Sequence, residues 1–425
     1  MLRAFVNAFK IPDLRKKLLF TLGIIALYRI GGWIPIPGVE LDILREATAG
    51  AEAGAIVGII NVFAGGALQQ MAVFALGIMP YITASIIMQL LAVVIPKLEQ
   101  LRREGEQGRK KITQYTRYAT VGLAMLQSTA LVTLARNGVA FGANVLPGAG
   151  TGTIILGVIT LTAGTALIMW LGELITARGV GNGMSILIYV SIISQFPSQL
   201  QIVRVQNGDA WVAGVLIMGI ALTLAVVFME LGQRRIPVQY ARRQIGRRSY
   251  GGQSTYIPLK VNQSGVIPVI FASSLMFLPG LIAQVAGSET LARIAEQHLA
   301  DASSPWFILV FAAMTIFFAY FYSAITFNPV EVADNMKRYG GFIPGIRPGR
   351  QTAEYLDKVL TRITLPGSVY LATVAVLPFV LLAVGNIGAF PLGGVSLLIM
   401  VGVGLQTSQQ IQSQLMQRNY EGFLR

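Results

Sequence analysis

The chain has 425 residues, of which 54% are hydrophobic and 12% charged, with a mean hydropathy of +0.63. Soluble domains carry roughly 25% charged residues, so a water-soluble globular fold is excluded, and so is disorder, which needs few apolar residues. The net charge is +14; the absence of cysteine and the single histidine, His298, exclude disulfides, thiolate chemistry and multi-histidine metal centres.

A membrane-crossing helix needs about 20 mostly apolar residues. Ten segments qualify, in chain order 18–33, 71–95, 118–135, 153–171, 184–200, 210–228, 265–285, 306–327, 363–384 and 391–412. The first follows a basic stretch, but Arg29 interrupts its apolar run and no small-residue cleavage site follows. It reads as an uncleaved span preceded by an amphipathic surface segment. Residues 54–70 (GAIVGIINVFAGGALQQ) are apolar but too short to cross, which predicts a re-entrant or buried helix. The fifth segment turns polar at Gln195, Ser198 and Gln199, and the tenth loses its apolar character after Leu405.

Basic residues alternate between loops. They crowd the N-terminus (Arg3, Lys10, Arg15, Lys16, Lys17) and the loops after the second, sixth and eighth segments. The intervening loops hold only Arg45, Arg136, Arg204 and Arg293. This positive-inside pattern predicts both termini and the even-numbered loops in the cytoplasm. Two of those loops, 229–264 and 328–362, are long enough to imply a task of their own.

No G-x-x-x-x-G-K-[ST] phosphate loop is present, and His298 falls on an outer loop, so the chain reads as no enzyme and needs no cofactor or metal. Ionisable groups are nearly absent from the span interiors. Arg29 lies near the outer end of the first and reads as snorkelling, while Glu173 and Glu230 mark the cytoplasmic ends of the fourth and sixth. Ion-coupled carriers keep acidic groups near the midplane. A passive channel that docks something in the cytoplasm is therefore favoured over the alternative, an inverted-repeat secondary solute transporter, and over a scaffold without transport.

Several stretches are more specific: IPIPG (34–38), FALGIMPYITASIIMQLL (74–91), KKITQYTRY (110–118), GVGNGMSILI (179–188), GQRRIPVQYARR (232–243), GRRSYGGQSTYIPLKVNQSGVIPVIFASS (246–274) and GGFIPGIRPGRQTAEYLDKVLTRIT (340–364). In this order they resemble bacterial SecY, the pore-subunit family of the Sec preprotein translocase, over essentially the whole chain. The resemblance implies an all-α polytopic fold of ten helices in two pseudo-symmetric five-helix halves, 1–205 and 206–425, with a short re-entrant plug helix at about 54–70.

It also implies a protein-conducting channel in the bacterial cytoplasmic membrane, passing unfolded preproteins across or releasing hydrophobic segments sideways into lipid. Its implied partners are the small membrane subunits SecE and SecG, the SecA ATPase, the ribosome, the preprotein and its signal sequence, and membrane lipid. Matching the family's motifs places a pore ring at Ile78, Ile82, Met184, Ile188, Ile270 and Ile399. Met184 stands where isoleucine is usual, and its flexible thioether should preserve an apolar seal. The plug would carry Asn61, Phe63, Gly65 and Gly66, and the lateral gate Thr83, Gln127 and Ser274, held shut by weak hydrogen bonds among them. Arg242, Arg243, Arg247, Arg248 and Arg347 match the motor and ribosome docking loops, with Arg347 stiffened between Pro344 and Pro348. Asn182, between two glycines, reads as a cap or turn residue.

Overall fold

The structure, a computed structural model, describes residues 9–44, 61, 63–138, 141, 143–148, 150–240, 243–245, 248–250, 255–286, 304–385 and 393–423. Arg45, Arg242, Arg247, Arg293 and His298 lie outside them, as do residues 54–60 and 62 of the predicted plug.

The helices are α1 (Pro12–Gly31), α2 (Met79–Val94), α3 (Pro96–Arg103), α4 (Glu106–Arg136), α5 (Thr151–Arg178), α6 (Gly183–Asn207), α7 (Asp209–Leu231), α8 (Ile267–Ala286), α9 (Pro305–Thr326), α10 (Pro329–Arg338), α11 (Arg350–Gly385) and α12 (Gly394–Phe423). Each of the ten predicted segments overlaps one helix. Among the described residues α4, α5, α6, α7, α9 and α11 are long and apolar enough to cross a membrane, and α2 with α3 forms a seventh candidate bent by 98°. The bend falls at Ile95, held extended by the proline that follows it. The helices α1, α8 and α12 coincide with the first, seventh and tenth segments without meeting that criterion. Along α7 most side chains are exposed, among them Ile217, Ile220, Leu224 and Phe228. A helix apolar on its exposed face is built for lipid or a membrane partner.

The second segment differs from expectation: its helix starts at Met79, not near residue 71. The preceding residues turn back on the IPIPG stretch, with Ile36 N donating to Met71 O at 2.9 Å and Val73 N to Ile34 O at 2.8 Å. Gly77, at φ +56°, then redirects the chain into α2. A backbone already paired in this way cannot also supply the ladder of a helix.

Two apolar cores lie side by side. One gathers α1, α2, α5 and α6 around the 63–79 stretch and also takes Ile399 and Val403 of α12. The other gathers α7, α8, α9 and α11 with Leu397, Leu398 and Val401 of α12, and takes in Ile86 of α2 and Val203 of α6. Ile82, Val266 and Val395 pack against both. Across the boundary α8 packs on α2 and α4. Arg117 makes a bidentate pair with Glu173, both bonds 2.7 Å, joining α4 to α5.

The all-α expectation covers the bundle but misses a small sheet outside it. Strand β1 (Gln233–Tyr240) pairs antiparallel with β4 (Thr255–Lys260) and, through Gln239 and Tyr240, with β5 (Gly341–Phe342). The tip between β1 and β4 is a hairpin of β2 (Arg243–Ile245) and β3 (Arg248–Tyr250). Alternate residues Ile236 and Val238 of β1 turn inward onto Leu259, Met336, Ile343 and Leu356. Removed from water, each aliphatic side chain buried in such a core contributes about 1.5–3 kcal/mol. That drive is absent between helices in lipid, where packing and hydrogen bonds must serve.

Candidate functional site

The six ring candidates come from four places in the chain and meet in one core. Ile78 caps the start of α2, Ile82 follows one turn later, Met184 and Ile188 share a face of α6, and Ile270 and Ile399 come from α8 and α12. Ile78, Met184, Ile188 and Ile399 are buried in the first core, and Ile82 and Ile270 pack against it. An all-aliphatic lining offers a polar chain neither charge nor hydrogen bond, and a narrow one resists ions by dewetting. Met184 has a second contact that its sequence position did not disclose. Its thioether fills the notch over Gly172 of α5, so part of the side chain is committed to helix packing.

The start of α6 explains the G-N-G motif. Asn182 is the N-cap, its side-chain oxygen accepting from Met184 N at 3.1 Å and Ser185 N at 3.5 Å, as the cap reading expects. Gly181 sits at φ +83°, and a Cβ on Gly183 would strike the carbonyl of Gly172. The two α6 ring candidates therefore hang from a start that only this residue order permits.

The described part of the predicted plug joins the same core. Phe63, Ala64, Ala67 and Leu68 are buried members of the core that holds four of the ring candidates. The turn at Asn61–Ala64 ends in a Schellman cap: Gly65 is left-handed at φ +66°, and Gly66 N donates back to Asn61 O at 3.2 Å. Both glycines have positive φ, +66° at Gly65 and +90° at Gly66, backbone that a side chain would strain. Two polar tethers hold this end. Arg29 Nη1 of α1 donates to Gly65 O at 3.0 Å and to Ser194 Oγ of α6 at 2.8 Å, and Gln195 Nε2 of α6 donates to Asn61 O. Arg29 was expected to snorkel; instead it is half-buried and turned inward. Sequence reading missed it and Gln195 because their partners are backbone carbonyls, which leave no side-chain signature.

At the boundary between the cores, Thr83, Gln127 and Ser274 are all buried. The expected hydrogen bonds linking them are not what the structure contains. Thr83 Oγ1 donates to Met79 O of its own helix at 3.0 Å, and Ser274 Oγ is buried without a partner. The physical reason is that a helical threonine has its own i−4 carbonyl within reach, nearer than a serine across the seam. At one end of this boundary Arg102 Nη2 donates to Ile325 O, 3.1 Å away in the last turn of α9.

Of the docking candidates, Arg243 and Arg248 lie on β2 and β3, and Arg347 is exposed at the tip between Gly345 (φ +81°) and Gly349 (φ +108°). The carbonyl of Arg347 accepts from Thr352 Oγ1 at 2.9 Å, which fixes the tip to α11. Arg235, which the sequence reading left among generic loop cations, lies over the Tyr256 ring at 4.8 Å.

The family model described as SecY matches residues 72–408. The protein translocase subunit SecY of Streptomyces scabiei is 59% identical over 437 residues, covering all of both chains. Among solved structures, a protein-conducting channel superposes with a TM-score of 0.64 at 19% identity, covering 93% of this chain and 91% of that one. Sec61 from the canine ribosome-channel complex superposes with a TM-score of 0.58, also at 19% identity and the same coverage. The fold is that of a polytopic, all-α protein-conducting membrane channel, and the solute-transporter alternative loses its footing. The chain belongs to the SecY family.

Proposed function

We propose that Ile78, Ile82, Met184, Ile188, Ile270 and Ile399 form the constriction through which an unfolded preprotein is threaded, and that the 61–66 turn stops it when idle. The observation that supports this reading is that Ile78, Met184, Ile188 and Ile399 share one apolar core with Phe63 and Ala64, while Ile82 and Ile270 pack against it. A stopper and a gasket must lie in the same core to work together. Hydrophobic segments leave sideways between α2 and α4 on one side and α8 and α9 on the other, past Thr83, Gln127 and Ser274. The two halves of the channel are 1–205 and 206–425, a division supported by two apolar cores drawn mainly, though not wholly, from one half each.

The chain lies in the bacterial cytoplasmic membrane with both termini cytoplasmic, which agrees with the alternation of basic loops. SecE and SecG are its small membrane partners, and exposed apolar surface such as that of α7 is available to them or to lipid. SecA or the ribosome supplies the drive by docking at Arg242, Arg243, Arg247, Arg248 and Arg347.

The test uses the absence of cysteine. Ile82→Cys or Ile270→Cys gives a unique thiol, and a stalled preprotein carrying one cysteine should form a disulfide with either in reconstituted vesicles. Val374→Cys, buried in the second core, should not. Stalling without crosslinks at the ring would refute the central path.

A further inference from the structure

We propose that Arg29 is the positioning residue that latches the plug, and that plug release is a step separate from opening of the lateral seam. This deepens the channel reading and rests on it. One guanidinium nitrogen, Nη1, bridges two elements: it donates to the Gly65 carbonyl at 3.0 Å and to Ser194 Oγ at 2.8 Å. Ser194 Oγ spends its own proton on the Ser191 carbonyl at 2.7 Å, so its lone pairs are left to accept. Ser191 is fixed in turn by Tyr28, the neighbour of Arg29, at 2.7 Å. The latch is therefore a preset cation on the α1–α6 seam, aimed at the carbonyl end of the plug turn, where a positive charge is electrostatically favoured. Gln195 on the next α6 position takes the Asn61 carbonyl.

Two further observations show that the seat is firm but strained. A Cβ on Gly65 would lie 3.1 Å from Arg29 Nη1 and 3.1 Å from Ser191 Cα, so the turn is pressed against both. Against this, Asn61 Oδ1 is buried with no partner, a penalty relieved as soon as the turn reaches water. Both tethers come from α1 and α6, whereas the seam between the cores is formed by α2 and α4 against α8. Parting that seam leaves the tethers intact. The plug goes only when the charge-assisted bonds at Arg29 are broken, for which a passing chain with its own carbonyls is a ready competitor.

The experiment places a single cysteine at Ala64, buried in the seat, in full-length protein in vesicles. The rate of labelling by a membrane-impermeant maleimide and the resting iodide flux are both measured. Loss of charge-assisted hydrogen bonds should raise plug exposure by about tenfold or more, so Arg29→Ala should speed labelling by that order and raise the flux. Arg29→Lys keeps the charge with a compact donor and should fall between. Ser194→Ala should raise labelling by a smaller factor. Labelling of a separate Val374→Cys protein should not change, which separates a latch from general loosening. Should Arg29→Ala fail to accumulate, Arg29→Lys and Ser194→Ala decide the matter. Labelling at the parent rate in the variants that accumulate overturns the latch. A parallel crosslink from Ile82→Cys to a stalled preprotein keeps the two failures apart: its absence sinks the channel path, whereas its presence with unchanged labelling sinks only the latch.

Discussion

Ser274 shows how much a single oxygen can bias a seam. Its hydroxyl is buried in the second core's boundary with no partner, which costs about 1–3 kcal/mol relative to a satisfied or absent group. Ser274→Ala should therefore stabilise the closed seam by about 1 kcal/mol. The expected consequence is slower export of preproteins with weakly hydrophobic signal sequences and unchanged export of those with strong ones. Equal effects on both classes would show that the serine acts elsewhere. At this scale the motifs GIMPYI and GNG name ring candidates that fall in or against one core, and that convergence is what the sequence made legible. Arg29 was not legible, because nothing in LYRIGG says that a guanidinium will turn inward to a glycine carbonyl 36 residues on.

The elements carry the ring only as well as they are seated. One close approach is at the start of α6, where Gly183 faces the Gly172 carbonyl with no room for a Cβ. Gly183→Ala must push α6 away from α5 and should cost about 1–3 kcal/mol as overpacking. Asn182→Ala removes only a cap, about 1 kcal/mol. Thermal midpoints of the purified protein should rank the two in that order, and a milder effect at Gly183 would argue against the close approach. Each hydropathy segment overlaps a helix, and six of those helices, or seven with the bent α2–α3 pair, are long and apolar enough to cross a membrane among the described residues. Hydropathy misplaced the start of α2 because residues 71–78 are as apolar as a helix but pair with IPIPG instead. It also missed β1 and β4. Pro237 and Pro258 argue against strands, yet Pro237 lies before β5 begins, where β1 is paired on one side only.

For the molecule as a whole, charge and exposure concentrate at one end. Arg347 is exposed, and its tip is held by backbone and Thr352 rather than by its own side chain, so Arg347→Glu should leave the fold intact. Like-charge juxtaposition across a docking surface costs several kcal/mol, which at 1.4 kcal/mol per tenfold predicts at least about a tenfold loss of motor-driven import into vesicles. Protease-protected preprotein at the parent level in that variant would remove Arg347 from the docking surface. The overall class was readable from composition and loop charge alone. That the two long loops form one body was not, because β5 is two residues long and carries no pattern of its own.

That shared sheet makes its end of the molecule a yoke. Strand β1 is covalently continuous with α7, β4 leads into α8, and β5 lies between α10 and α11. A load applied at the β2–β3 tip is therefore not borne by one flexible loop. It passes through the ladder and the Ile236–Leu356 core to four helices at once, as torque on a common arm. Whatever grips this face can steer the second core as a unit against the first.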